Sequence, residues 1–140
     1  MNIHDLMQRE NWIKVVLLTK GWSKDIKFYI EDIHDQRFLL RISDPTLYES
    51  KLKHFNLLKE IRELKMNVPI PYEFGKLDDG RVYMILSWVD GEDAEIIVPT
   101  LNEKEQYLLG KKAGNMLKKL HDIPITAKDT WHDFYNTKIP

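Results

Sequence analysis

The run from Val82 to Val89, Val-Tyr-Met-Ile-Leu-Ser-Trp-Val, constrains the fold more than any other stretch of this chain. It is almost wholly apolar or aromatic. The turn signal Asp79-Gly80 stands before it, and it breaks off at Asp90-Gly91. An apolar run of that length, bounded by turn chemistry, reads as a buried strand. The acidic segment Glu92-Asp93-Ala94-Glu95 and a helical region follow. A buried strand that ends beside a glycine and leads into helices can carry a two-lobed hinge. Backbone N–H and C=O groups at such a strand end can pair with the edge of a flat ligand.

The upstream chain supplies the partners this strand needs. Ile13 to Leu18 is a short apolar strand, and Thr19-Lys-Gly-Trp-Ser-Lys-Asp25 follows as a turn. Ile26, Phe28 and Ile30 then alternate with Lys27 and Tyr29 in a second strand. A loop at Asp32-Ile-His-Asp-Gln36 returns to a third strand, Arg37-Phe-Leu-Leu-Arg-Ile42. Sequential strands with short connections predict an antiparallel meander. Tyr72 to Lys76 is expected as the fourth strand and the run from Val82 as the fifth.

Between the third and fourth strands lies a helical pattern. Thr46-Leu-Tyr-Glu49 has the spacing of a capping box. Tyr48, Leu52, Phe55, Leu58 and Ile61 recur every three or four residues, Leu57 and Leu64 widen the stripe, and lysines, arginines and glutamates fill the other face. Val68-Pro-Ile-Pro71 is expected to stop this helix, because proline cannot continue the hydrogen-bond ladder. Ile3, Leu6, Met7 and Trp12 suggest a short opening helix. In the last third, Asn102 and Glu105 form a second capping box, and Tyr107, Gly110, Ala113, Gly114, Leu117, Leu120 and His121 line one helix face. The fold class is therefore α+β, a five-stranded antiparallel sheet with one long packed helix, then a hinge and a partial helical region. The expected domains are 1–90 and 91–140.

The totals exclude several function classes. A length of 140 residues and a net charge of −1 with both signs well mixed fit one folded chain with no footprint for nucleic acid. No cysteine is present, which excludes a disulfide scaffold and fits a reducing cytoplasm. No apolar run reaches the length of a membrane span, and the start lacks a secretory signal pattern.

Five strands with a long helix between the third and fourth, then a hinge and helices, is the order of a protein-kinase-like small lobe. The residues resemble the aminoglycoside phosphotransferase family of small-molecule kinases. The carriers are Lys20-Gly-Trp-Ser23, Phe38-Leu-Leu-Arg-Ile-Ser43, Asn67-Val-Pro-Ile-Pro71, Leu86-Ser-Trp-Val-Asp-Gly91 and Leu117-Lys-Lys-Leu-His121. The resemblance covers Lys20 to about Pro124, the N-terminal lobe and the start of the C-terminal one. It implies a nucleotide, ATP or GTP, under the sheet. Ser87 C=O and Val89 N–H would pair with the purine edge, Leu86 would close the back of the pocket, and Leu39 would pack on the base. Backbone N–H groups around Gly21, Trp22, Ser23 and Lys24 would cover the phosphates.

Two positions depart from the family pattern. The third-strand residue that holds the phosphates is normally lysine, and here it is Arg41, which keeps the charge but presents a planar fork. Its helix partner is normally glutamate. His54 stands at the matching position and Glu49 is the nearest acidic residue, so both are candidate partners of Arg41. Phosphoryl transfer also needs an Asp to accept the substrate proton and an Asn and a further Asp for magnesium. His121-Asp122 and His132-Asp133-Phe-Tyr-Asn136 look like fragments of that machinery but lack its spacing. No catalytic or metal-binding residue is therefore assigned, and magnesium is expected only in a complete parent enzyme.

Two functions of different class fit. One is the nucleotide-binding part of a phosphotransferase, inactive as this piece, that moves a γ-phosphoryl group to the hydroxyl of a small-molecule acceptor. The other is a non-catalytic small-lobe module that binds nucleotide or serves assembly. In either case the small-residue helix face, together with the Trp131 to Tyr135 segment, lacks an evident partner in the chain. Self-association through residues 102–135 is expected. Light scattering checks it: the parent chain should run larger than a monomer, and Leu117→Glu should restore the monomer.

Overall fold

The computed structural model describes residues 1–123. The chain divides into two compact units, Met1–Glu92 and Asp93–Pro140. The first holds a five-stranded antiparallel sheet built from β1 (Trp12–Leu18), β2 (Ile26–Asp32), β3 (Arg37–Ser43), β4 (Pro71–Lys76) and β5 (Val82–Ser87), in the order β1-β2-β3-β5-β4. The apolar run thus lies inside the sheet, with β3 on one edge and β4 on the other, and Val82 to Leu86 are all buried. Pro71 opens β4 on the sheet's outer edge, where a missing N–H costs no ladder bond. This architecture is that of a kinase-like small lobe.

The two faces of the sheet bury different sets. One face carries Ile30, Leu40, Ile42, Tyr83 and Ile85, covered by Leu6 of the short helix α1 (Ile3–Met7) and by Leu77. The other carries Leu39, Met84, Leu86 and Phe74, covered by Phe55 and Leu58 of the long helix α2 (Tyr48–Glu63). Full burial of one such aliphatic side chain contributes about 1.5–3 kcal/mol, so each helix is held chiefly by the sheet face it covers.

Three details of α2 correct the sequence reading. Thr46 and Glu49 form no capping box. Asp44 instead accepts hydrogen bonds from the Thr46 backbone and hydroxyl at 2.9 and 2.6 Å, and Pro45 opens a 3-10 turn over Pro45–Leu47 that runs into the helix. An aspartate before a proline is a stronger start signal than a threonine two residues later. Leu57 and Leu64 are exposed, so the stripe is narrower than expected. The helix also stops ahead of the prolines, at Glu63, where Lys65 adopts a left-handed conformation with φ 58.

The β4–β5 hairpin closes through Asp78-Asp79-Gly80 as expected. Leu77 N–H reaches Arg81 C=O at 2.8 Å, and Gly80 takes φ 88. The second unit contains α3 (Ala94–Ile97), a 3-10 turn over Val98–Thr100 and α4 (Glu103–His121). Asn102 and Glu105 cap α4 reciprocally, as their spacing predicts. Tyr107 and Leu117 on this helix are exposed, and the space beside Gly110 and Gly114 is open. The Trp131 to Tyr135 segment lies outside the described residues. Among the described residues, no helix is long and apolar enough to cross a membrane.

Gly75 has a packing role. Opposite it, the Tyr83 ring crosses the strand so that its hydroxyl can donate to Glu73 at 2.7 Å, and Arg9 grips the same carboxylate at 2.6 and 2.7 Å. A Cβ at Gly75 would stand 2.8 Å from the ring. Gly75→Ala is therefore expected to destabilise the protein by about 1–3 kcal/mol, and much less in a Tyr83→Leu background. Urea unfolding of the two single variants and the double variant measures the coupling.

Candidate functional site

Strand register sets out the candidate site. Side chains two residues apart on a strand share a face. Across four adjacent strands, Val16, Tyr29, Leu39 and Leu86 stand opposite one another. Two residues further along β3 the next row on the same face is Leu18, Lys27, Arg41 and Met84. An apolar row is thus followed, about 7 Å along the strands, by a row with two cations at its centre. α2 covers the Met84 and Leu86 end of both rows, while Val16 at the other end is exposed. Tyr29 meets Trp88 edge to face, with ring centroids 4.7 Å apart, which extends the aromatic part of the first row.

The loop from Thr19 to Asp25 bends over the cationic row. Gly21 has φ +110, a conformation L side chains rarely adopt, and a Cβ there would stand 2.5 Å from the Lys27 ammonium. Lys27 Nζ donates to Lys20 C=O at 2.5 Å, and Ser23 Oγ accepts the Asp25 N–H at 3.1 Å. Trp22 is fully exposed at the tip, and Lys24 is exposed beside it.

Arg41 has a partner that sequence reasoning missed. Neither Glu49 nor His54 pairs with it; the carboxylate is Asp25, from the loop. Asp25 Oδ2 accepts Arg41 Nε at 3.1 Å and Nη2 at 2.7 Å, and Lys51 Nζ of α2 reaches the same oxygen at 2.8 Å. Glu49 is exposed on the first turn of α2 and forms no ion pair among the described residues. Partial burial lowers the His54 pKa below its ordinary value. The positive charges of Arg41 and Lys51 lower it further, outweighing Asp25. The surroundings of His54 therefore favour its neutral form. Period-two alternation from Tyr29 could have picked out Lys27. Nothing local in the sequence joins Asp25 to Lys51.

At the far end of the apolar row, Leu86 is buried and packs with Leu39, so the structure brings those two predicted residues together. Ser87 is tied to the chain before β4. Its N–H donates to Ile70 C=O at 2.9 Å, and its hydroxyl accepts Ile70 N–H at 2.7 Å. Trp88 N–H donates to Arg37 C=O at 3.1 Å, and the Arg37 guanidinium grips both oxygens of Asp90. Between them Val89 is exposed, and its N–H donates to no protein acceptor among the described residues.

The sequence profile of the Phosphotransferase enzyme family matches residues 14–138. The chain belongs to that family. Comparison with curated proteins gives no match. In this phosphotransferase chain the predicted residues Gly21, Ser23, Leu39, Arg41, Leu86, Ser87 and Val89 all lie in the first unit, along one loop, two neighbouring rows and one strand exit. Of the two discounted Asp motifs, Asp122 caps the C-terminus of α4, and His132 to Asn136 lie outside the described residues. Among the described residues, no group of three or more His, Asp or Glu side chains could hold a metal ion.

The Asp25 cluster makes a prediction about pH. Burial alone would raise the Asp25 pKa. Hydrogen bonds from Lys51 and Ser43 and the charges of Lys51 and Arg41 outweigh it and hold the pKa below the ordinary 3.8. A carboxylate depressed in this way stabilises the fold above its unfolded-chain pKa. That contribution is lost as pH falls through the folded-state value. Asp25→Asn is expected to cost about 1–3 kcal/mol at pH 7. The gap should close as pH drops below the ordinary carboxylate range, which urea melts at a series of pH values check.

Proposed function

We propose that this chain is the nucleotide-binding part of a small-molecule phosphotransferase of the aminoglycoside type, which passes the γ-phosphoryl group of ATP or GTP to an acceptor hydroxyl in the cytoplasm. The observation that carries the reading is the pair of neighbouring rows, apolar Val16-Tyr29-Leu39-Leu86 beside cationic Lys27-Arg41. A flat base on the first row puts its phosphates on the second. Phosphoryl transfer is mostly positioning and charge stabilisation, so the tasks of these residues are limited.

Leu39 and Leu86 take the base out of water, with Tyr29 flanking them. Ser87 C=O and Val89 N–H meet the purine edge. Arg41, Lys27 and the N–H groups around Gly21 to Lys24 hold phosphate oxygens. Three cations stand against the single carboxylate of Asp25 in this region, so the site keeps an excess of positive charge for an anion. The bound nucleotide supplies the transferable phosphoryl group. The residues after α4 lack the spacing of the proton-accepting Asp and magnesium-binding Asn, and the chain by itself is expected to show no turnover.

Calorimetry with ATP, GTP and adenosine tests the reading. Binding should be micromolar or weaker and unchanged by magnesium. Leu39→Glu should weaken ATP and adenosine alike, Arg41→Gln should weaken ATP about tenfold and spare adenosine, and Val89→Pro should weaken both. The parent chain binding neither nucleotide, or Arg41→Gln leaving ATP affinity intact, would overturn the reading.

A further inference from the structure

Asp25 gathers two cations onto one oxygen, and only one of them belongs to the phosphate-binding pattern set out above. The Asp25 side chain is 5% exposed, those of Arg41 and Lys51 23% and 17%. A carboxylate buried that far is costly unless it is paired, and Arg41 alone pairs it, through Nε at 3.1 Å and Nη2 at 2.7 Å. Lys51, at 2.8 Å from the same oxygen, is a second positive charge where one already suffices for neutrality. Sharing that oxygen holds the guanidinium and the ammonium side by side.

Neither cation is used up by this contact. A guanidinium has five N–H donors and an ammonium three. Arg41 Nη1 makes no hydrogen bond among the described residues, and Lys51 spends a single contact on Asp25. Lys27 stands next to Arg41 on the adjoining strand. The cluster is therefore more cationic than structural pairing requires, and its free donors belong to two groups whose separation Asp25 sets.

We propose that Asp25 positions Arg41 and Lys51 as a two-cation clamp for the polyphosphate of a nucleotide, with Lys51 of α2 as the second phosphate-contacting group. The proposal rests on the nucleotide reading given above. It assigns the helix a cation for the phosphates, and the loop the acid that orders both cations.

Calorimetry of the full 140-residue chain with inorganic tripolyphosphate, and separately with adenosine, tests it. Lys51→Met should weaken tripolyphosphate about tenfold and leave adenosine unchanged, Lys51→Arg should restore it, and Lys53→Gln, on the exposed side of α2, should change neither. Asp25→Asn should also weaken tripolyphosphate although it removes a negative charge from the site. A carboxylate that merely competed with phosphate would give tighter binding in that variant. Unchanged tripolyphosphate affinity in Lys51→Met, or tighter binding in Asp25→Asn, overturns the clamp while leaving the nucleotide reading intact if Arg41→Gln still weakens it. Equal weakening of adenosine and tripolyphosphate by Lys51→Met would make Lys51 a structural group and also overturn it. A parent chain that binds neither ATP nor tripolyphosphate removes both readings together. If Asp25→Asn fails to fold, the Lys51 pair decides.

Discussion

Pairing register at β3 is the constraint on which the rest depends. Leu40 and Ile42 face the α1 side, while Leu39 and Arg41 face the α2 side. A slip of one residue against β2 or β5 would send Arg41 into the apolar layer under Leu6 and turn Leu40 outward. The fully buried Leu40 and Ile30 oppose that slip, because their burial is lost with it. Core packing and the placement of the charged row are thus one choice. The face that bears Arg41 need not be stabilised by its own contacts alone, since the opposite face holds the register.

That coupling explains what could be read from the sequence. Buried strands and amphipathic helices leave local periodic traces, and β5, α2 and the Asn102–Glu105 cap on α4 were legible from them. Hinge, loop and β3 residues were singled out by the family resemblance, and the structure sets them along one loop, two neighbouring rows and one strand exit. The choice of ionic partners was not. Asp25 and Lys51 are 26 residues apart and meet only after the meander has formed and α2 has packed on it. Glu49 looked better by type and proximity in sequence, yet it sits exposed on the first turn of the helix. The true start of that helix was hidden for a related reason: Asp44 and Thr46 both offer capping chemistry, and Pro45 decides between them through its fixed φ.

The ion pairs at the strand exit and at the β4–β5 turn differ in energetics from the one at Asp25. Arg37–Asp90 and Arg81–Asp79 are substantially exposed, and pairs of that kind contribute about 0–1 kcal/mol at most. Asp25 is different, because its carboxylate is nearly out of water, and removing its cations would strand a charge. Substitution at the exposed pairs is expected to be tolerated by the fold, whereas the loop that carries Asp25 is bound to the sheet and α2 by a contact that is costly to break. A loop rich in small and polar residues thereby gains a fixed end next to β2.

Arg37 has a second consequence at the strand exit. Its carbonyl takes the Trp88 N–H and its guanidinium takes the Asp90 carboxylate, so one residue pins both neighbours of Val89. Val89 is left as the middle rung of a short bridge fastened at each end, its N–H turned to no protein acceptor among the described residues. A group that accepts from that N–H meets a backbone whose entropy has already been surrendered during folding, and little further ordering is asked of it. The weak, solvent-facing ion pair therefore matters less as a source of stability than as a second tie between β3 and this strand exit.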